Sequence, residues 1–319
     1  ADAVKFQTHN VSDEQADIKV VSPHFKGADR YNWVKRNTFA TPAGFWRELK
    51  AYCDQLGILF FSTPMSRGAA RILEEVDVPL WKVGSGDILD FIMLDYLAST
   101  GKPVILSSGM STLEEIDKAS DYLRSKKASF ALVHCVSRYP CPPEDLNLGT
   151  INFLRERYDV PMGFSDHSLG IESSLGAAAL GVSVIEKHFS ISRDLWGSDH
   201  KVSLTPPELK SLVDGVRALE SNPSLRETYL NKDEVKAAMG RPAKVLQEGE
   251  AVFRPFFRKT LVALLPIPKG QILEKEFVGA FRPQAYLNGL PSEHYEEVLG
   301  RRAAKDIEKG EPIRLESLV

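Results

Sequence analysis

The chain is poor in several things that would narrow its class. Of 319 residues only three are cysteine, Cys53, Cys135 and Cys141. An odd number without metal-type spacing argues against a disulfide framework and suits reduced thiols in a cytoplasmic enzyme. Neither sign of charge prevails: 40 Lys plus Arg stand against 43 Asp plus Glu, a formal net charge of −3. No global field therefore draws nucleic acid or an anionic membrane, and any anion must be gripped locally. No run approaches the ~20 apolar residues that span a bilayer. The opening ADAVKFQTHN has no charged segment leading into an apolar one. Neither a membrane nor export is expected, and cytoplasm is the expected compartment. With 43 % hydrophobic and 26 % charged positions the chain can bury a substantial core.

Short runs rich in β-branched and aromatic residues alternate with longer stretches of helical spacing, the pattern of a parallel α/β protein. The strand candidates are 3–7, 59–64, 80–85, 103–108, 130–135, 161–166 and 184–189. Between them, 111–127 predicts a helix, with Ser111 as cap, Glu114 completing a capping box, and Leu113, Ile116, Ala119 and Leu123 on one stripe. Nearly every strand ends in polar residues. A (β/α)8 TIM barrel brings all such ends to one mouth, whereas an open sheet gathers them only at its switch point. Seven strands are countable where the barrel wants eight, so a first βα unit is expected to be absent from this chain. Residues 221–260, rich in charge and carrying NPS, GRPAK and RPFFRK, read as an extended linker with one short helix near 232–239. The tail, 261–319, contains an echo, PIPKGQILEKE against DIEKGEPIRLES, which predicts a small β-rich module of two similar halves.

Three constellations carry chemistry. Ser165-Asp166-His167 and Glu186-Lys187-His188 close neighbouring strands, where His167 and His188 can share a divalent metal or simply hydrogen-bond in a polar barrel top. Lys5, Thr63, Lys82, Ser85, Ser107 and Ser165 fall at strand ends near Gly-Ser corners, suited to a phosphorylated or carboxylated substrate; the bland alternative pairs the lysines with interior acids. Gly197-Ser198-Asp199-His200 is a polar loop before a helix near Thr205. There Asp199 can bind sugar hydroxyls, complete a metal shell, or sit in a solvated turn. Tyr139 stands at the barrel mouth or in an ordinary turn.

Taken in order, KFQ, FFSTP, WKVGSGD, ILSSGM, HCVSRYP, GFSDH, EKHF and SDHKVSL resemble the N-acetylneuraminate (sialic acid) synthase family, and the tail resembles its C-terminal antifreeze-like (SAF) domain. The resemblance implies a TIM-barrel synthase domain over 1–220, a linker over 221–260 and an SAF domain over 261–319. It implies condensation of phosphoenolpyruvate with an N-acetylmannosamine-like aldehyde to a nine-carbon 2-keto acid plus phosphate. Related synthases of pseudaminic or legionaminic acid, a spore-coat polysaccharide sugar, and a metal-dependent pyruvate aldolase are the alternatives. By position, Lys5, Thr63, Lys82, Ser85, Ser107 and Ser165 match phosphoenolpyruvate ligands. His167 and His188 match ligands of Mn²⁺ or Mg²⁺, and Glu186, Tyr139 and Asp199 match residues near the acceptor, with Glu186, Lys5 and Lys82 catalytic. Ser137 stands where the family often has Asn. Arg282 matches an arginine that reaches from one subunit's SAF domain into the barrel of the other, implying a domain-exchanged homodimer.

Overall fold

A computed structural model describes residues 1–21, 29–197 and 199–319. Its strands are β1 (Ala3–Thr8), β2 (Leu59–Pro64), β3 (Trp81–Val83), β4 (Val104–Ser107), β5 (Phe130–Cys135), β6 (Met162–Asp166), β7 (Val184–Lys187), β8 (Thr260–Ala263) and β9 (Val278–Phe281). β1 pairs with β2, β5 with β6 and β6 with β7, all parallel, while β8 and β9 are antiparallel. Helices separate the parallel strands, so the α/β TIM-barrel-like architecture and the small β domain are those the pattern predicts. By contacts the chain forms two compact units that interleave along the sequence. Among the described residues no helix is long and apolar enough to cross a membrane.

One unit comprises Ala1–Asp2, Ile105–Ile116 and Phe130–Ala251. In it Cys135 lies opposite Ser165, and Ser165 opposite Glu186. Gly163 permits this spacing: a Cβ there would stand 2.9 Å from Val133 Cγ2 and 3.0 Å from Val184 Cβ. Helices Glu172–Ala179 and Pro206–Ser221 bury Leu175, Ala179, Leu212 and Leu219 in one apolar cluster with Leu204. The cap expected at Ser111 lies one residue later. Glu115 Oε2 accepts from Thr112 N at 3.0 Å, Thr112 Oγ1 accepts from Glu115 N at 3.3 Å, and Ser111 Oγ donates to Gly109 C=O instead. The run STLEE offers two overlapping boxes, and the inner one starts the helix Leu113–Ser125.

Residues 221–260 are not extended. Helices Leu225–Leu230, Asp233–Met239, Glu248–Ala251 and Arg254–Phe257 occupy them, the second being the one anticipated. As far as Ala251 they belong to this unit. Leu148 N donates to Ala238 C=O and Gly149 N to Met239 C=O, both at 2.8 Å, and Thr150 Oγ1 donates to Ala243 C=O at 2.8 Å. The prolines and glycines punctuate short helices here rather than keeping the backbone open.

The other unit comprises Ala3–Val104, Asp117–Ser129 and Val252–Val319. Phe6 and Phe60 of β1 and β2 meet Trp46 of the helix Ala43–Gln55, with ring centroids 5.7 to 6.3 Å apart. Trp81 is fully buried and its Nε1 donates to Thr100 Oγ1 at 2.8 Å. The echo in the tail is real in three dimensions. Gly270 and Gly310 hold φ of 84° and 83°, and Ile267 and Ile307 exchange two backbone hydrogen bonds of 2.9 Å. The left-handed turn needs glycine at both places, which is why Lys-Gly recurs.

Candidate active site

In the first unit β5, β6 and β7 deliver one polar cluster. His167, just past β6, is buried, and its Nδ1 donates to Val136 C=O at 2.8 Å. Burial holds its pKa below the usual histidine value, so the ring is neutral with its lone pair on Nε2. His188 follows β7, and its backbone is pinned by Leu204 N donating to its C=O at 2.8 Å. The two rings lie 5.3 Å apart, and Tyr139 packs on His167 at 4.0 Å and on His188 at 5.8 Å. Burial pushes the Tyr139 phenol well above its ordinary pKa, leaving it a neutral donor. Ser165 Oγ donates to Glu186 Oε1 at 3.0 Å. Asp199 Oδ2 approaches His188 Nδ1 to 4.0 Å from the turn Asp199–Val202, while its neighbour Ser198 lies outside the described residues. Sequence reasoning thus named residues that do converge here.

It missed what holds them. Strand side chains alternate, so Asp166 and Lys187 leave the face that carries Ser165 and Glu186. Asp166 Oδ1 accepts from Ser168 N at 2.8 Å and from Ser168 Oγ at 2.7 Å; Oδ2 accepts from Ser174 Oγ at 2.5 Å and pairs with Lys187 Nζ at 2.8 Å. Lys187 Nζ also donates to Ser168 C=O at 2.7 Å. The alternation Ser-Asp-His and Glu-Lys-His was the available signal. A second missed group is Glu250, fully buried, whose carboxylate accepts from the Met110 and Ser137 amides. Ser137 itself is buried, its Oγ 3.8 Å from Cys135 Sγ. Ser107 ends β4, also buried.

The second unit carries the other predicted anion ligands. Thr63 pairs with Gln7, and Lys5 with Phe61, across β1 and β2. Lys82 is buried in β3 and its Nζ donates to Val83 C=O at 3.2 Å. Ser85 opens a single 3-10 turn, Ser85–Asp87, rather than ending a strand. Arg282, expected to reach from one subunit's tail into another's barrel, is wholly buried within this single chain, its Nη2 bonded to Asp87 Oδ1. Lys259 Nζ joins it, 3.1 Å from Asp87 Oδ1 and 2.7 Å from Asp90 Oδ2. Burial opposes the charge on Asp87, but Arg282 and Lys259 win and hold its pKa below the ordinary carboxylate value. A guanidinium this enclosed persists only when paired, and Asp87 pairs it.

These motifs are those of a known group of enzymes. The NeuB family pattern matches residues 1–225, and that of the SAF domain matches residues 258–319. The chain belongs to the NeuB family. It is 35 % identical over 271 residues to the N,N'-diacetyllegionaminic acid synthase of Campylobacter jejuni, a match covering 84 % of this chain and 75 % of that protein. It is 34 % identical over 277 residues to the N-acetylneuraminate-9-phosphate synthase of Homo sapiens, covering 86 % and 71 %. The crystal structure of the spore coat polysaccharide biosynthesis protein SpsE of Bacillus subtilis superposes with a TM-score of 0.80 at 29 % identity, over 100 % of this chain and 87 % of that one. As a NeuB protein the chain is a phosphoenolpyruvate-dependent nonulosonic acid synthase acting on an amino sugar, in a family that is metal-dependent.

Proposed function

We propose that this NeuB synthase condenses phosphoenolpyruvate with an N-acetylmannosamine-like 2-acetamido sugar aldehyde, releasing phosphate and a sialic-acid-type nine-carbon 2-keto acid. The observation that supports this reading best is the meeting of His167, His188 and Tyr139 beside the Ser165–Glu186 hydrogen bond. The residues present fit a divalent ion. His167 is neutral with its tautomer set by Val136 C=O, the arrangement of a ligating imidazole. Among the described residues no group of three or more His, Cys, Asp or Glu side chains is placed to hold a metal ion, so the candidate ligands are the two imidazoles alone. Two imidazoles with open positions suit a catalytic ion that also takes water and substrate. His167 and His188 would hold Mn²⁺ or Mg²⁺, which when bound supplies Lewis-acid polarisation of the aldehyde.

The remaining steps belong to the protein. Lys5 and Lys82 are assigned the charges of phosphate and carboxylate, and Thr63, Ser85 and Ser107 donate to their oxygens, while Ser165 gives its single hydroxyl proton to Glu186. Tyr139, Asp199 and Ser137 orient the acceptor's hydroxyl and acetamido groups. C3 of the enol forms the new bond to the aldehyde carbon, water adds at C2, and C–O cleavage expels phosphate. Glu186, oriented by Ser165, takes the proton that the adding water releases and passes it to the aldehyde oxygen, which ends as a hydroxyl, while the second water proton leaves with phosphate. Exchange of tails between two copies extends the reading: Arg282 would then meet the same acid, Asp87, of the second copy. Light scattering supports a homodimer if the mass is twice 35.5 kDa and removes it if the chain is monomeric.

Phosphate release from phosphoenolpyruvate tests the reaction. It should require both a divalent ion and an acetamido sugar aldehyde, and collapse in His188→Ala. Release without sugar would mark a phosphatase, and turnover of free pyruvate an aldolase. Comparing mono-acetamido with diacetamido aldehydes separates the sialic from the legionaminic and pseudaminic acceptors.

A further inference from the structure

We propose that Glu250 is a positioning residue for this reaction: its carboxylate ties the loop after β4 to the loop after β5 and so fixes Ser107 and Tyr139. The inference rests on the proposed site but on separate observations. Glu250 lies on the single-turn helix Glu248–Ala251, in the stretch whose sequence reads as linker, yet it is 0 % exposed. Its Oε1 accepts from Met110 N at 2.9 Å and from Ser137 N at 2.8 Å, partners 140 and 113 residues away. Its Oε2 accepts from Gln247 N at 3.4 Å. A buried carboxylate is costly and endures only where donors converge on it, and bonds to a charged acceptor are the stronger kind.

The two loops need such a tie. Met110, three residues past Ser107, holds a φ of 51°, which a residue with a side chain adopts only when its surroundings impose it. Ser137 is two residues before Tyr139, whose ring packs on both histidines. The same segment braces the second loop again: Gln247 Nε2 donates to Asp145 C=O, and Asp145 is paired with Arg138. One side chain thus sets the register of two loops.

Amide hydrogen exchange at Met110 and Ser137, read together with steady-state kinetics, tests the proposal. Both amides should exchange slowly in the wild type and rapidly in Glu250→Ala, with kcat/KM for phosphoenolpyruvate falling at least about tenfold, as misplaced groups cost. Glu250→Gln keeps an acceptor oxygen and should preserve slow exchange and kcat/KM within about threefold of wild type. Glu250→Asp keeps the charge but is one methylene short, and should behave as the alanine variant does. The proposal is overturned if Gln performs as badly as Ala, if exchange is unchanged in Ala and Asp, or if exchange rises while kcat/KM stays at the wild-type value. A wild type that releases no phosphate would instead defeat the functional reading, and the exchange rates alone would then decide the clamp.

Discussion

Asp166 Oδ2 and Lys187 Nζ lie 2.8 Å apart with side chains 0 % and 2 % exposed, each one residue before a histidine of the candidate site. They are also register partners on β6 and β7. Removing one partner strands the other charge, so Lys187→Met should cost roughly 3–5 kcal/mol of stability. It should also weaken divalent-ion affinity, because both histidine-bearing ends are released together. Urea unfolding and metal titration measure the two effects. A loss below about 1 kcal/mol would mean that Ser168 and Ser174 alone satisfy Asp166.

Acid should destabilise the chain before its carboxylates titrate. His134 donates from Nε2 to Leu146 C=O at 2.7 Å, and burial, aided by the Lys244 charge, pulls its pKa down to about 3. Burial lowers His167 as well. Unfolded, each binds a proton near pH ~6.5. As pH falls from about 6.5 toward 4.5, the unfolded chain takes up protons the native chain refuses, and stability drops by up to ~1.4 kcal/mol per unit for each histidine. His134→Gln should flatten that slope by about one proton in urea midpoints taken across the window. Parallel slopes for variant and wild type would refute the assignment.

Ser137, proposed above to orient the acceptor, is 3 % exposed. Ser137→Asn adds volume and an amide donor beside Tyr139 while keeping the backbone amide that Glu250 accepts. KM for the preferred acceptor should rise about tenfold, and KM for phosphoenolpyruvate should stay within about twofold. Kinetics with each substrate varied separately will show the split; a rise confined to phosphoenolpyruvate would remove Ser137 from the acceptor side.

The helix Pro206–Ser221 begins at a capping box in which Glu208 Oε2 accepts from Thr205 N at 2.8 Å and Thr205 Oγ1 at 2.7 Å. Arg193 Nη2 holds the same carboxylate at 2.8 and 2.7 Å. The hydrogen bond from the Thr205 backbone, then Arg193, brings the Glu208 pKa down to about 2. Thr205→Ala removes the hydroxyl but not the amide, so denaturant unfolding should show a loss of about 1 kcal/mol. No loss would mean that Arg193 and the amide suffice.

The parallel strands were legible because β-branched and aromatic runs alternate with helical spacing, and His167, His188, Glu186 and Ser165 were legible because they end neighbouring runs. STLEE misled by a single residue, since either hydroxyl can cap and only packing chooses Thr112. Glu250 was invisible for a different reason: its partners stand more than a hundred residues away, and periodicity carries no information at that range. The same holds for Arg282, whose neighbour Asp87 lies 195 residues earlier. A stretch of Pro, Gly and charge looks open when read locally, although Thr150 and Asn147 seize its backbone atoms in the folded chain.

Asp87 and Asp90 leave the ribosome long before Lys259 and Arg282, the cations that neutralise them 169 and 195 residues downstream. Until those cations are made, the carboxylates cannot be withdrawn from water without great cost. The packing around these two carboxylates can therefore be completed only once the last small domain, which supplies both cations, has been synthesised.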